Sequence, residues 1–273
     1  MLGHVLYKIL EESKKFDLFD ISYRNKLNSN SIICDVTNSN DLEKIIFELK
    51  PDFIINCIGI LLKNSKIDSS NTIYLNAFLP HKLKNISDKV GSRIIQISTD
   101  CVFDGIKGFY NENDTPNAID LYGISKSLGE LNNNRDLTIR TSIIGPELKQ
   151  NGEGLLHWLF NQKGDIYGYK NVFWSGVTTL QLSRAIVFAI ENEIDGLWNL
   201  TNGIKTSKYD LIENIINVFE LNKINLIEDF EKISNKTLVS LKGIDYKVPS
   251  YNEMINELKI FYNEKRELYS YLI

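Results

Sequence analysis

The chain has 273 residues, 43% of them hydrophobic and 24% charged, with a formal net charge of −4 and a pI near 5.6. That is enough apolar material for one large core or two unequal ones, while Lys and Arg scattered among Asp and Glu exclude the basic face that nucleic-acid binding needs. No apolar run approaches the length of a membrane span and no secretory signal opens the chain, so a cytoplasmic location without membrane contact is expected.

In chain order, strand-like apolar runs are predicted at 18–22, 32–34, 53–58, 93–97 and 137–139. Helical patterns at about 4–12, 40–49, 70–89 and 120–131 alternate with them. This alternation predicts βαβ units and an α/β fold, a doubly wound parallel sheet buried on both faces. Such a fold normally opens with a strand and a glycine-rich turn, whereas here a helix near His4 comes first, so the first strand is expected to be missing. After Pro146 the elements shorten. Helices are predicted around 153–162, 179–191, 207–219, opened by Ser207, and 251–261, with a strand at 197–201. The chain therefore divides at about 145/146, with the second region, 146–273, partly interleaved with the first, 1–145.

Cys34, Cys57 and Cys101 show no paired spacing and sit in or beside apolar runs, as buried free thiols do. His4, His81 and His157 share no spacing suited to a metal, so no metal ligand is assigned. The Asn run at 132–134 belongs to no repeat.

The chemistry concentrates further along. Tyr122-Gly-Ile-Ser-Lys126 puts a phenol and an ammonium one helical turn apart on one side of a helix. A fixed cation lowers a phenol pKa, which would let Tyr122 act as acid or base near neutral pH. Such a pair also occurs on ordinary amphipathic helices. The preceding strand, however, delivers Ser98-Thr99-Asp100-Cys101-Val102-Phe103-Asp104-Gly105 to the carboxyl edge of the sheet, where ligands bind in such folds.

Three motifs in this order carry a resemblance: Ser-Thr-Asp-x-Val-Phe-Asp-Gly from Ser98, Leu-Tyr-Gly-x-Ser-Lys-x-x-Gly-Glu from Leu121, and Ile139-Arg140-Thr141-Ser142. They resemble the dTDP-4-dehydrorhamnose reductases of the extended short-chain dehydrogenase/reductase superfamily, and the likeness covers nearly all of the chain. The resemblance implies a Rossmann-type dinucleotide-binding domain over 1–145 and a substrate-binding region over 146–273. It implies NADPH as cofactor, with NADH allowed, and a nucleotide-sugar substrate, and it allows a homodimer. The implied reaction is reduction of the 4-keto group of a nucleotide-linked deoxysugar in the synthesis of cell-surface polysaccharide precursors such as dTDP-rhamnose. The superfamily leaves two alternatives: a reductase or epimerase of UDP-linked acetamido sugars, and a regulatory relative of the methionine adenosyltransferase β subunit.

By the same resemblance the catalytic trio is Thr99, Tyr122 and Lys126, with Ser98 as the alternative hydroxyl. Pro51 to Gly59 is similar to the strand and turn beneath the cofactor's ribose, which makes Ile58, Gly59 and Ile60 backbone neighbours of the cofactor. Asn76 matches an asparagine that supports the site, or is a solvated helix residue. Asp35 and Val36 match the pair flanking adenine, though Asp35 also suits helix capping. Arg24 stands where NADP users place a cation against the 2′-phosphate, or is simply solvated. Leu2 and Gly3 correspond to the last part of a Gly-x-x-Gly-x-x-Gly turn, with Gly3 as its third glycine. A start placed too late is the expected cause, a degraded frame or a loss of nucleotide binding the alternatives. Substrate contacts fall to Thr99, Asp100, Cys101, where relatives often carry tyrosine, and Trp174, which would stack on a base or sugar or lie in the core. Ser207-Lys-Tyr-Asp210 and the segment Val248 to Met254 also fit the relatives.

Overall fold

Strands that run parallel need crossover connections, and in the main sheet of this chain those connections carry helices, which lie on both faces of the sheet. The computed structural model describes residues 1–269. The first half runs α1 (Leu2–Ser13), β1 (Ile21–Ser22), β2 (Ile32–Ile33), α2 (Ser39–Leu49), β3 (Phe53–Asn56), α3 (Leu62–Ser65), α4 (Ser69–Ile73), α5 (Leu79–Val90), β4 (Arg93–Ser98), α6 (Leu121–Leu128) and β5 (Leu137–Arg140). The second half runs β6 (Ile143–Ile144), α7 (Leu155–Phe160), β7 (Gly164–Tyr169), β8 (Val172–Trp174), β9 (Val177–Thr178), α8 (Thr179–Glu191), β10 (Gly196–Asn199), β11 (Thr206–Ser207), α9 (Lys208–Phe219), β12 (Ile224–Asp229), β13 (Ser234–Asn235) and α10 (Tyr251–Glu264).

The main sheet has the order β10-β5-β4-β3 and is parallel throughout. β1 and β2 form a separate parallel pair. Among the described residues no strand lies between β1 and β3, so backbone hydrogen bonds do not join the two pieces. Side chains do join them. On one face Leu2, Leu6 and Leu10 of α1 and Leu182, Ala185, Ile186 and Ala189 of α8 pack on Ile95, Leu137 and Ile139, with Leu18 and Phe53 at the margin. On the other face Leu42 and Ile46 of α2 and Leu79, Leu83 and Ile86 of α5 pack on Ile94, with Ile21, Cys34 and Ile54 beside them. Ile94 and Ile95 thus enter opposite cores, as the alternation of side chains along a strand requires.

The chain beyond residue 146 divides its work. α8 and β10 return to the sheet layer, where β10 pairs with β5. The rest builds a second core from α7, α9 and α10, centred on Leu156, Leu159, Leu211, Ile215 and Leu258. Small sheets cap it: β7 with β12, β8 between β11 and β13, and β6 with β9. α1 serves both cores, since Val5 points into the second while Leu2 and Leu6 point into the first. His4 Nε2 and the Tyr269 hydroxyl, 2.8 Å apart, tie α1 to the far end of the described chain.

Two stretches differ from expectation for local physical reasons. The helix predicted over 70–89 is interrupted by a π-helical turn at Tyr74–Phe78. Pro80 has no N–H to return to the Asn76 carbonyl, and the ladder widens there, with Leu79 N–H bonding to the Tyr74 carbonyl. The run at 18–22 is a strand only at Ile21–Ser22, where β2 supplies its ladder. No helix among the described residues is long and apolar enough to cross a membrane.

Candidate active site

β4 ends at Ser98, and the backbone stays extended through Thr99 before a 3-10 turn over Asp100–Val102. The Thr99 hydroxyl caps that turn by accepting from Cys101 N–H at 3.1 Å, and donates to Asp100 Oδ1 at 3.2 Å. α6 starts where the Asp120 side chain accepts from Gly123 N–H at 2.9 Å. Two glycines then let the helix seat backbone to backbone. A Cβ on Gly123 would lie 2.1 Å from the Cys101 carbonyl oxygen, and one on Gly129 would lie 2.0 Å from the Asn76 carbonyl oxygen, the one Pro80 leaves free. This seating brings the Tyr122 phenol up to the Thr99 hydroxyl, and sends the Lys126 ammonium inward to donate to the Ile97 carbonyl.

The choice between the two hydroxyls follows. Ser98 donates to Glu130 Oε1 at 2.6 Å, and Arg140 closes on the same carboxylate with two bonds of 2.7 Å in a buried pair. Ser98 is therefore committed to that pair, and Thr99 is the hydroxyl that meets Tyr122.

Burial governs the protonation of the group. Lys126, 6% exposed, is pushed down to about 8 by desolvation, with Glu130 and Cys57 acting in the opposite direction. The phenol of Tyr122 is pushed up, by burial first and then by Cys101, Asp100 and Asp120, while the Thr99 hydroxyl pulls it down. This corrects the expectation that a nearby cation lowers it. The Lys126 ammonium is turned to the Ile97 carbonyl, and desolvation is the largest influence on the phenol. Burial also raises the thiols of Cys57 and Cys101 to about 12, so both stay neutral.

Next to Lys126 the chain leaves an open edge. Asn56 Oδ1 accepts from Ile58 N–H at 3.1 Å, and Asn76 grips Ile60 twice, accepting from its N–H at 2.8 Å and donating to its carbonyl at 3.0 Å. Asn76 also donates to Ser125 Oγ at 3.2 Å, which fastens this loop to α6; it is buried, not solvated. Gly59 between them is exposed, and a Cβ there would come within 3.3 Å of Asn76 Oδ1 and 3.9 Å of Lys126 Nζ. A side chain would fill this cradle; a glycine keeps it free beside the Lys126 ammonium. It fits the nicotinamide-ribose half of a dinucleotide.

The residues expected at the adenosine half lie at the ends of β1 and β2. Arg24 stacks 4.6 Å over the Tyr23 ring, and its charge acts on Asp35, whose carboxyl is held low mainly by accepting from the Thr37 hydroxyl and N–H. Asp35 forms this turn and does not cap α2; Asn38 does. Val36 is half-buried against the α2 and α5 core. Leu2 is a core residue, and Gly3 sits exposed at the start of α1, where a Cβ would stand in ordinary contact, 3.7 Å, with Cys57 Cβ.

Asp100 and Cys101 follow Thr99 in the 3-10 turn, with Asp100 buried. Trp174 is 3% exposed and belongs to the second core, tilted against Tyr251 at 5.5 Å, so its ring is covered and leaves no open face for a base. One residue of this neighbourhood was absent from the expected set. Lys208, first in α9, places its ammonium 5.4 Å from the Trp174 ring centre and within the field of Asp100 and Cys101. The only signal in the sequence is the run Ser207 to Asp210, which reads equally as a helix cap. Among the described residues no three His, Cys, Asp or Glu side chains group to hold a metal ion. A surface depression of about 520 Å³ between α9 and α10, lined by Asp210, Glu213 and Asn256, includes none of the trio.

Residues 1–240 match the family model of the RmlD substrate binding domain. The chain belongs to that family. Within it, the chain is 25% identical over 201 residues to a dTDP-4-dehydrorhamnose reductase of Aggregatibacter actinomycetemcomitans, a match covering 71% of this chain and 58% of that protein. It is also 25% identical over 204 residues to the methionine adenosyltransferase 2 subunit beta of Bos taurus, covering 68% and 60% of the two. The chain thus spans less than two thirds of the length of these relatives. Among solved structures, a hypothetical dTDP-4-dehydrorhamnose reductase from Sulfolobus tokodaii superimposes with a TM-score of 0.77 at 24% identity, covering 92% of this chain and 94% of that one. The Bacillus anthracis dTDP-4-dehydrorhamnose reductase in complex with NADP gives 0.73 at 22% identity over 84% and 87%. RmlD-family membership and the α/β parallel-sheet fold agree with the ordered motifs in the sequence.

Proposed function

We propose that this RmlD-family chain serves an NADPH-dependent reduction of the 4-keto group of a nucleotide-linked deoxysugar, with NADH as the alternative cofactor. The observation that supports the reading best is the meeting of Thr99, Tyr122 and Lys126 beside the open Gly59 edge at the carboxyl end of a parallel sheet. When bound, the dinucleotide supplies hydride. The protein's part is to position it and to manage one proton. Lys126 and the backbone around Gly59 would hold the nicotinamide ribose, with Arg24, Asp35 and Val36 at the adenosine end. Tyr122, whose raised pKa keeps it protonated at neutral pH, donates its proton to the oxygen that develops negative charge at the sugar C4. Thr99 turns its hydroxyl to the same oxygen and stabilises that charge as it forms.

The test is oxidation of NADPH, supplied at millimolar concentration, across a panel of dTDP- and UDP-linked keto sugars. Tyr122→Phe is expected to lower kcat by roughly 10²- to 10⁴-fold with cofactor binding kept, as removal of a general acid does. Undiminished turnover in that variant refutes the assignment. The panel also separates a UDP-acetamido-sugar reductase. A second reading, a subunit of a larger synthetase, is supported by the methionine adenosyltransferase β subunits among the relatives. It predicts no NADPH oxidation with any sugar and co-purification with a synthetase.

A further inference from the structure

Two charged residues of the sequence motifs, Glu130 and Arg140, make no hydrogen bond to Thr99, Tyr122 or Lys126, yet the fold brings them together beside that trio. Arg140 and Ser98 are register partners on β5 and β4, so their side chains leave the sheet side by side on the same face. Glu130, four residues beyond Lys126 and past the end of α6, reaches both. It accepts from the Ser98 hydroxyl at 2.6 Å and from Arg140 Nε and Nη2 at 2.7 Å each. The pair is buried, with the two side chains 3% and 9% exposed. Its two ends are not equally served. The carboxylate accepts all three of these bonds, whereas Nη1 of Arg140 is buried and has no hydrogen-bond partner among the described residues. The arrangement satisfies the carboxylate and leaves the guanidinium one bond short, so Glu130 is the group being held.

Glu130 in turn holds the segment that carries Thr99. β4 is tied to the chain of α6 at two successive residues by groups of opposite charge: the Ile97 carbonyl takes the Lys126 ammonium, and the Ser98 hydroxyl gives to Glu130. Thr99 is the next residue, so its side chain leaves a backbone already fastened to the helix of Tyr122. Arg140 steadies the far side of the same segment. Its guanidinium carbon lies 5.2 Å from the centre of the Phe103 ring, which is fully buried and stacked on Tyr110 at 4.0 Å. A buried ion pair adds little stability over apolar residues of the same shape. Apolar residues, however, could neither accept from Ser98 nor place an anion near Lys126. The titratable groups whose charge acts on Lys126 are Glu130 and Cys57, and the Cys57 thiol stays neutral.

We propose that Glu130, braced by Arg140, is a positioning residue of this site: it fastens the end of β4 to α6 and so fixes where the Thr99 hydroxyl and the Lys126 ammonium stand beside Tyr122. Its part in turnover rests on the function proposed above, which takes Thr99 and Tyr122 as the reacting end. Its hold on Lys126 is independent of any substrate.

The experiment compares the whole chain with Ser98→Ala, Glu130→Gln and the double variant Glu130→Gln with Arg140→Gln. NADPH oxidation is followed with the best keto sugar of the panel, and the lysines, labelled with carbon-13 at Cε, are titrated by NMR, the Lys126 signal being the one absent from Lys126→Met. Ser98→Ala, which leaves the ion pair whole, is expected to keep the thermal melt and lower kcat by roughly 3- to 10-fold with KM unchanged. Glu130→Gln should lower kcat by roughly 10- to 100-fold with KM again unchanged, and should move the Lys126 titration below its wild-type midpoint of about 8. The double variant, which leaves no buried charge unpaired, should regain the melt lost by Glu130→Gln but neither the kcat nor the Lys126 midpoint. Recovery of all three together would show a merely structural pair and overturn the proposal. So would a Lys126 midpoint identical in wild type and Glu130→Gln, or an undiminished kcat in Ser98→Ala should the Glu130 variants fail to fold. If the wild type oxidises NADPH with no sugar, the reductase reading falls and the Lys126 titration alone decides the role of Glu130. Tyr122-dependent turnover indifferent to Glu130 does the reverse.

Discussion

A buried ammonium favours its neutral form, and Lys126 is the residue where this has a visible consequence. Its pKa of about 8 lies below the ordinary lysine value of 10.5, so the folded protein resists the charge that the site uses. Turnover is therefore expected to fall as pH rises through about 8, where Lys126 loses its proton. Tyr122, held above its ordinary range, stays protonated there and does not set that limb. Lys126→Arg should carry the limb to higher pH, and a pH profile of kcat/KM that breaks at the same pH in both proteins would contradict the assignment. The same shift enters stability with a definite sign. The desolvation penalty is fully present below about 8 and is released as pH rises towards 10.5, because over that window the unfolded chain holds the proton and the folded chain does not. Relative to Lys126→Met, the wild type should gain on the order of 3 kcal/mol across the window, read from urea unfolding at a series of pH values.

Seating an element by glycine makes its position sensitive to a single methyl group. α6 rests on the Cys101 carbonyl through Gly123, where a Cβ would stand only 2.1 Å away against backbone that cannot retreat. Gly123→Ala should destabilise the protein by roughly 1–3 kcal/mol and displace Tyr122, with turnover falling further than stability. Gly3→Ala is the contrast, since a Cβ there makes an ordinary contact at 3.7 Å and the residue lies within α1. It should be tolerated or stabilise by less than about 1 kcal/mol. Equal losses of urea midpoint in the two variants would remove the argument from close packing. At this scale the sequence was informative about one cap, Ser207 opening α9, while the capping box of Ser250 and Glu253 on α10 emerges in the structure. It was silent about the π-helical turn, which depends on how Pro80 and Gly129 meet across two helices.

On the scale of the molecule, the two ends of the expected dinucleotide site ride on different pieces of sheet. Arg24, Asp35 and Val36 follow β1 and β2, whereas Gly59, Asn76, Tyr122 and Lys126 belong to the piece built from β3, β4 and β5 with their connections. Side-chain contacts, among them the Tyr74 hydroxyl on the Val36 and Thr37 carbonyls and the Lys89–Glu43 pair, set the distance between the pieces, so a dinucleotide bridging them must also order them, at a cost in affinity. Among the described residues β1 pairs only with β2 and β3 only with β4, which leaves each with an unpaired edge, and Phe19 and Tyr23 beside β1 are exposed. A polypeptide of these 273 residues is accordingly expected to bind NADPH weakly, with a Kd above the micromolar range by calorimetry, and to self-associate on size-exclusion chromatography. Nanomolar-to-micromolar binding by a monodisperse sample would show that packing holds the pieces rigidly enough without a shared ladder.

The alternation of apolar runs with helical patterns, the spacing of Tyr122 and Lys126, and the hydroxyls at the end of β4 are local properties, and the sequence by itself determined them. Periodicity and caps are written along the chain because each depends on neighbours within a turn or two. The tertiary structure alone decided that Ser98 belongs to Glu130 and Arg140 while Thr99 faces Tyr122, that Trp174 is core, and that the phenol is raised and not lowered. It also decided that Lys208 comes to lie over Trp174 and within the field of Asp100, across a separation of 108 positions. The reason is common to all four. Desolvation and the balance of charge at a side chain are sums over whatever surrounds it, and those surroundings are assembled from distant segments only when the chain folds.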